Sequence, residues 1–567
     1  MTAATDQANF VELFTPKLIT LFREGYRLSD LKADTLAGLT VAIVALPLSM
    51  AIAIASGVTP DRGLYAAIAG GFLVSALGGS RFQIGGPAGA FIVLVAATAE
   101  RHGVDGLILA TLLSGLMLLT IGLLRLGTFI KYIPFPVTVG FTAGIAVIIF
   151  ASQLKELFGL TLAGKEPGPL LPKLQTLAGA WRSADPATII VAVLAITLIV
   201  AVRRYRPHWP AFLIAVGVAS LASWWFGLNV ATIGSRFGGI PSALPPPSVP
   251  DWSLAKVEAV LPSALSFALL GAIESLLSAV VADSMSGRRH RSNCELVAQG
   301  AANIASALFG GICVTGTIAR TATNVRAGAR GPVAGMLHSL FLLLFMLLAA
   351  PLASYIPLAA LAGVLAVVSW NMAEKHEFWI LLRSLRGDAV VLLSTFLLVV
   401  FRDLTEGILV GFGIGALLFL HRMAQAVEIE GGQLVGADLP DSRGDDGVPY
   451  DASLATDPRV IVYRISGAFF FGSAATVAAA LDRIGEHPRA YVIDFSEVPI
   501  LDSTAATTIA GFARKARRRG AAVFVAGVRP SIRRMLLTYG VRPPEVHFKP
   551  AIPEAVLAAR RLVGEAV

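Results

Sequence analysis

Charge is scarce in this chain. Asp, Glu, Lys and Arg together make up 15% of its 567 residues, against roughly 25% in a soluble protein. That shortage excludes an ordinary soluble globular protein of this size. Cysteine is nearly absent. Cys294 and Cys313 are the only two, so there is no disulfide framework, and neither stands at metal-ligand spacing. Both read as small packing residues. No nucleophile–base pair, phosphate-cradling loop or metal cluster is visible, so neither catalysis nor a bound cofactor has support. The stretch up to Asp34 is polar and amphipathic. It has no short apolar core followed by a cleavage site, so it does not read as a secretory signal. The formal net charge is +9, but the basic residues are spread over loops between apolar runs. A nucleic-acid partner is therefore not expected.

What the chain has in excess is apolar length. Hydrophobic residues reach 55% and the mean hydropathy is +0.72. Runs long enough to span a bilayer occur near 36–56, 63–79, 104–124, 134–152, 187–202 and 209–226. A second set lies near 260–282, 295–312, 333–351, 357–372, 388–401 and 405–421. Two short segments, near 87–98 and 316–326, bring the count to about fourteen, in two sets of seven.

Loop charge supports the count. With Met1 in the cytoplasm, loops after even-numbered elements should be basic. They carry Arg81; Arg125 and Lys131; Arg203, Arg204 and Arg206; Arg288, Arg289 and Arg291; Arg326 and Arg330; Lys375, Arg383 and Arg386. Both termini are then expected in the cytoplasm. An odd number of elements per half turns the second half upside down, which gives an inverted repeat.

The short segments are Gly85-Gly86-Pro87-Ala88-Gly89-Ala90-Phe91 and Thr315-Gly316-Thr317-Ile318-Ala319-Arg320-Thr321. Neither crosses about 30 Å of hydrocarbon alone. Broken helices at matching places in two halves point to a transporter's substrate site. They should face each other across the pseudo-two-fold axis.

After His421 the character changes. Residues 425–457 are polar and read as a linker, and 458–567 as a small α/β domain. Strands are expected at 460–465, 490–495 and 521–526. Helices are expected at 503–519, with Asp502 as N-cap, and at 530–539 and 553–564.

Four stretches resemble the sulfate permease (SulP) family of anion transporters. They are Leu31–Ala55, Gly85–Ala90, Leu270–Asp283 and Ile318–Ala329. The stretch Val492–Thr504 resembles a STAS domain. The resemblance implies a polytopic α-helical membrane protein, residues 31–424, following a cytoplasmic segment 1–30. Its fourteen elements would form a seven-plus-seven inverted repeat with core and gate domains, as in uracil permease. A cytoplasmic STAS domain would follow. It also implies an anion site between the third and tenth elements, elevator-like alternating access and a homodimer in a bacterial inner membrane. The substrate would be sulfate, bicarbonate, a halide or a C4-dicarboxylate. The wording around Glu274 and Arg320 is similar to dicarboxylate-type members.

An anion site needs donors and positive potential. Two facing half-helix N-termini supply both. Substrate-binding candidates are Gln83, Gly86, Pro87, Ala88, Phe91, Thr315, Gly316, Thr317 and Arg320, with Ser49 and Thr321 as further polar neighbours. Glycine lets the backbone approach the ligand, Pro87 suits a helix N1 position, and Phe91 offers its positive ring edge. Arg320 supplies a charge that lipid alone would not tolerate. Glu274 is the one acid in the run Leu261–Val281, with Ser278 one turn on. A carboxyl there can exchange a proton with the pathway, which would couple uptake to H+. Sodium held by Glu274, Ser278 and backbone oxygens near Thr315 is the competing reading. Ser503 occupies the position phosphorylated in STAS anti-sigma antagonists, though capping by Asp502 alone also accounts for the motif. Partners expected are the anion, the coupling ion, the bilayer, a second copy and a cytoplasmic partner of the STAS domain. A membrane-anchored anion sensor signalling through that domain is the alternative function.

Overall fold

The computed structural model describes residues 10–130, 134–164, 166–206, 209–384, 386–425, 428–431, 459–482 and 488–564. The chain divides into two compact units, residues 1–412 and 413–567.

The first unit is helical. Each of the fourteen apolar segments read from the sequence falls on a helix. Among the described residues eight helices are long and apolar enough to cross a membrane, and the rest are shorter or interrupted. Their ends follow local chemistry. Asp185 caps the Pro186–Tyr205 helix by accepting from Thr188 N at 2.9 Å, with Pro186 at N1. Gly159 closes the Phe135–Phe158 helix in the left-handed conformation (φ 62°). Large apolar side chains point outward, among them Leu348, 80% exposed, and Trp225, 73%. Such a surface is expected of a protein solvated by lipid.

Packing repeats when the halves are exchanged. The first spanning helix, Leu28–Ala55, lies on Val333–Ala353, as Leu254–Ser286 lies on Ile92–Leu123. Phe135–Phe158 and Leu358–Met372 pack on each other, as elements on the symmetry axis must. This is the inverted repeat expected from the odd element count.

Both short segments are half-helices. Ile92–Leu123 is broken at Gly103 (φ 70°, ψ −178°), which separates a half-helix from a full span. The other, Ile318–Arg326, has nine residues. Each is preceded by a two-residue strand, β1 (Gly85–Gly86) and β2 (Thr315–Gly316), and the two strands pair antiparallel.

The second unit carries a five-stranded sheet in the order β3 (Glu428–Gly431), β4 (Val460–Ser466), β5 (Ala490–Asp494), β6 (Ala522–Ala526), β7 (His547–Lys549). β3 is antiparallel and the others parallel. Helices Phe471–Asp482, Ser503–Arg518, Pro530–Thr538 and Ile552–Gly564 complete it. Asp502 caps its helix by accepting from Ala505 N at 2.9 Å. The segment read as a linker is corrected at its start. The Leu404–Gln425 helix runs to its first residue and β3 follows, because Glu428-Ile-Glu-Gly431 can extend the sheet edge beside β4. The remainder, 432–457, lies outside the described residues, as do 1–9 of the N-terminal segment.

Candidate functional site

The site is assembled where the half-helices begin. Gly85 stands opposite Gly316, and Gly86 opposite Thr315. All four are buried. Thr317 N donates to Ile84 O at 3.0 Å and extends the pairing by one bond. The first half-helix starts from extended Ala88 (φ −114°) through the tight turn Gly89–Phe91, and the second from extended Thr317 (φ −106°). Neither start has a side-chain cap, so their leading N–H groups are open to a ligand. Pro87 corrects the expectation of an N1 proline. It precedes the capping residue Ala88, because the helix begins two residues later than expected.

Side chains explain why glycine is needed here. A Cβ at Gly86 would overlap Arg320 Nη1, and one at Gly316 would overlap the Gln83 amide. Arg320 is 1% exposed. Its Nη2 donates to Ser49 Oγ at 3.1 Å and to Pro87 O at 3.2 Å. Its Nε and Nη1 have no partner, and among the described residues no carboxylate pairs with it. A buried, unpaired guanidinium is costly unless an anion completes it.

The Leu254–Ser286 helix runs alongside and supplies partners at helical spacing. Gly271 O accepts from Thr315 Oγ1 at 3.2 Å, and Ser275 O accepts from Gln83 Nε2 at 3.1 Å. Ser278 Oγ donates to Thr321 Oγ1 at 3.1 Å, and Thr321 Oγ1 also accepts from Ile84 N at 3.1 Å. Phe91 lies edge-on to Phe267 with centroids 6.0 Å apart. Thr317 Oγ1 donates to Ile84 O at 3.3 Å. Glu274 shares this helix face, and its Oε2 is buried without a partner.

The structure thus gathers Ser49, Gly86, Pro87, Arg320 and the strand pair. It turns Gln83, Thr315, Thr317 and Ser278 toward neighbouring backbone and side chains. Those four hold the crossing in place. Sequence reasoning missed the centre of that scaffold. Glu295 is fully buried. It accepts from Ser80 N, Gln83 Nε2 and Gln299 Nε2, each at 3.0 Å. Asn303 pairs with both polar groups of Val314: Nδ2 donates to its O at 2.7 Å, and Oδ1 accepts from its N at 2.8 Å. His338, also fully buried, was likewise missed, and both its ring nitrogens lack partners. The available signal was polar residues at helical spacing, Glu295, Gln299 and Asn303, inside a span.

Among the described residues no group of three His, Cys, Asp or Glu side chains could hold a metal. Ser503 is exposed at the start of its helix.

Comparison with known proteins agrees with this architecture. Residues 31–395 match the sulfate permease family, and residues 451–555 match the STAS domain. YvdB of Bacillus subtilis, named as a candidate sulfate transporter, is 37% identical over 520 residues, covering 91% of this chain and 95% of its own. The bicarbonate transporter BicA of Synechocystis is 30% identical, covering 89% and 90%. The fold matches murine Slc26a9, an anion transporter in the inward-facing state, with a TM-score of 0.82 at 18% identity, covering 99% of this chain and 96% of that one. With the family matched across most of the membrane unit and the relatives along nearly the whole length, this chain is a multi-pass membrane protein that belongs to the sulfate permease family and carries a STAS domain.

Proposed function

We propose that the protein is a secondary active transporter of a small oxyanion, coupled to protons. The observation that carries this is Arg320, buried and without a carboxylate partner among the described residues, beside two uncapped half-helix starts. Two half-helix dipoles and one guanidinium attract an anion. The names of YvdB and BicA put sulfate and bicarbonate first, and the motif wording adds C4-dicarboxylates. The anion would contact Gly86, Pro87, Ala88, Phe91, Gly316 and Arg320, on a scaffold set by Gln83, Thr315 and Thr317.

Coupling falls to Glu274. Its unpartnered oxygen needs either a proton of its own or a cation. Ser278 Oγ donates its hydrogen to Thr321 Oγ1 and keeps its lone pairs, so sodium held by Glu274 and Ser278 stays the competing reading, which the gradient experiment below separates. The core would move past the gate as an elevator, in a homodimer in the bacterial plasma membrane with both termini cytoplasmic. Residues 31–424 are the transport domain and 458–567 the regulatory one, with Ser503 as the residue where a cytoplasmic partner would act.

Proteoliposome uptake of sulfate, bicarbonate, succinate and fumarate under an imposed pH or sodium gradient tests this. Saturable uptake of one anion driven by inward protons is expected. Folded protein that moves none of them would favour a sensor instead.

A further inference from the structure

Between the Leu254–Ser286 and Ser292–Leu308 helices the chain makes a basic turn, Gly287-Arg288-Arg289-His290-Arg291. The turn is built rather than loose. Gly287 takes a left-handed conformation (φ 69°) and donates its N–H to Asp283 O at 2.8 Å. Asp283 Oδ2 accepts from His290 N at 3.0 Å and meets His290 Nδ1 at 2.7 Å. His290 Nε2 meets Ser292 Oγ at 3.0 Å. Arg291 turns inward, with Nη1 donating to Thr15 O at 2.6 Å and to Thr20 Oγ1 at 3.0 Å.

Arg288 and Arg289 are left at the tip. Both are exposed, and neither forms an ion pair among the described residues. With Val280, Asp283, Ser284, Gly287 and His290 they line an open surface cavity of about 500 Å³. The nearby acids are already engaged: Asp283 by His290, and Glu24 by Arg81. Val280 is the one apolar side chain among the lining residues, and it stands on the outward face of the Leu254–Ser286 helix. Val280 is 51% exposed and Leu265, further back on the same helix, 58%. The cavity therefore sits where an outward helix face meets two exposed arginines carried on a turn held by Asp283 and His290.

We propose that this cavity binds the headgroup of an anionic phospholipid, with the phosphate on Arg288 and Arg289 and an acyl chain along Val280. Charge and polarity match such a lipid at both ends. A basic cluster next to a membrane helix attracts anionic lipid, and guanidinium pairs hold phosphate well. A soluble phosphate would use the arginines but leave Val280 wet.

The test uses the full chain in a zwitterionic detergent, titrated with phosphatidylglycerol, phosphatidylcholine or glycerol phosphate and read by native mass spectrometry. Phosphatidylglycerol should bind and phosphatidylcholine should not. The double variant Arg288→Ala/Arg289→Ala should weaken binding about tenfold or more, and Arg288→Lys/Arg289→Lys should retain part of it. Arg204→Ala/Arg206→Ala removes the same charge from another basic loop and should leave binding unchanged. Melting temperatures recorded in parallel separate a lost site from a lost fold. Equal loss in both alanine variants, or equal binding of the two lipids, would overturn the proposal. Full competition by glycerol phosphate would overturn it too, by making the ligand a soluble phosphate.

Discussion

Arg320 and Glu274 divide the chemistry of the proposed site between them. Arg320 has spare donors and Glu274 a spare acceptor. Arg320→Gln keeps two hydrogen-bond donors but removes the charge. Uptake should fall by at least about tenfold, since a charged hydrogen bond contributes roughly 1.5–3 kcal/mol. Substrate titration of the purified variant, alongside its melting temperature, checks this. Glu274→Gln should abolish gradient-driven uptake while leaving binding and counterflow intact. Unchanged proton-driven uptake in that variant would remove Glu274 from the coupling step. Glu295 behaves differently because three N–H donors satisfy its carboxylate. Glu295→Gln puts a donor where an acceptor is needed and should destabilise the fold by about 1–3 kcal/mol. A denaturation midpoint in detergent reads that loss.

At the level of elements, the half-helices and their strand crossing carry the proposed site. Gly316→Ala should disable transport by pushing the Gln83 amide out of its place between Ser275 and Glu295. Gln83→Ala removes the same amide and should lower initial uptake rates similarly, and adding it to Gly316→Ala should cost little more. Much of this level was legible in the sequence. Both half-helices stood out because each was too short and too glycine-rich to span. The scaffold beneath them was not legible, because its bonds join residues far apart in the chain, such as Gln83 to Glu295 and Asn324 to Phe82. Periodicity marks which face of a helix is polar, but not which distant backbone that face will meet. Strand β3 was missed for a similar reason. Four residues containing two glutamates become a strand only when a partner edge is present.

For the whole molecule, the two units have separate hydrophobic cores. They should melt in separate transitions. Asp502→Ala should lower only the transition of the STAS unit, by the roughly 0.5–2 kcal/mol that a lost N-cap costs. Scanning calorimetry of the full protein shows which transition moves. Ser503→Glu, at an exposed position, should leave both transitions in place while changing the transport rate.

The strand crossing has one further consequence. In the proposed site the half-helix starts beside it would offer a ligand main-chain amides next to glycine, and an amide presents the same hydrogen whichever side chain it carries. The cradle would then read charge and size but not chemical identity. Discrimination among oxyanions would fall to the surrounding walls, Phe91 and the Leu254–Ser286 helix among them. A lineage could exchange one oxyanion for another by altering those walls while the cradle stayed as it is.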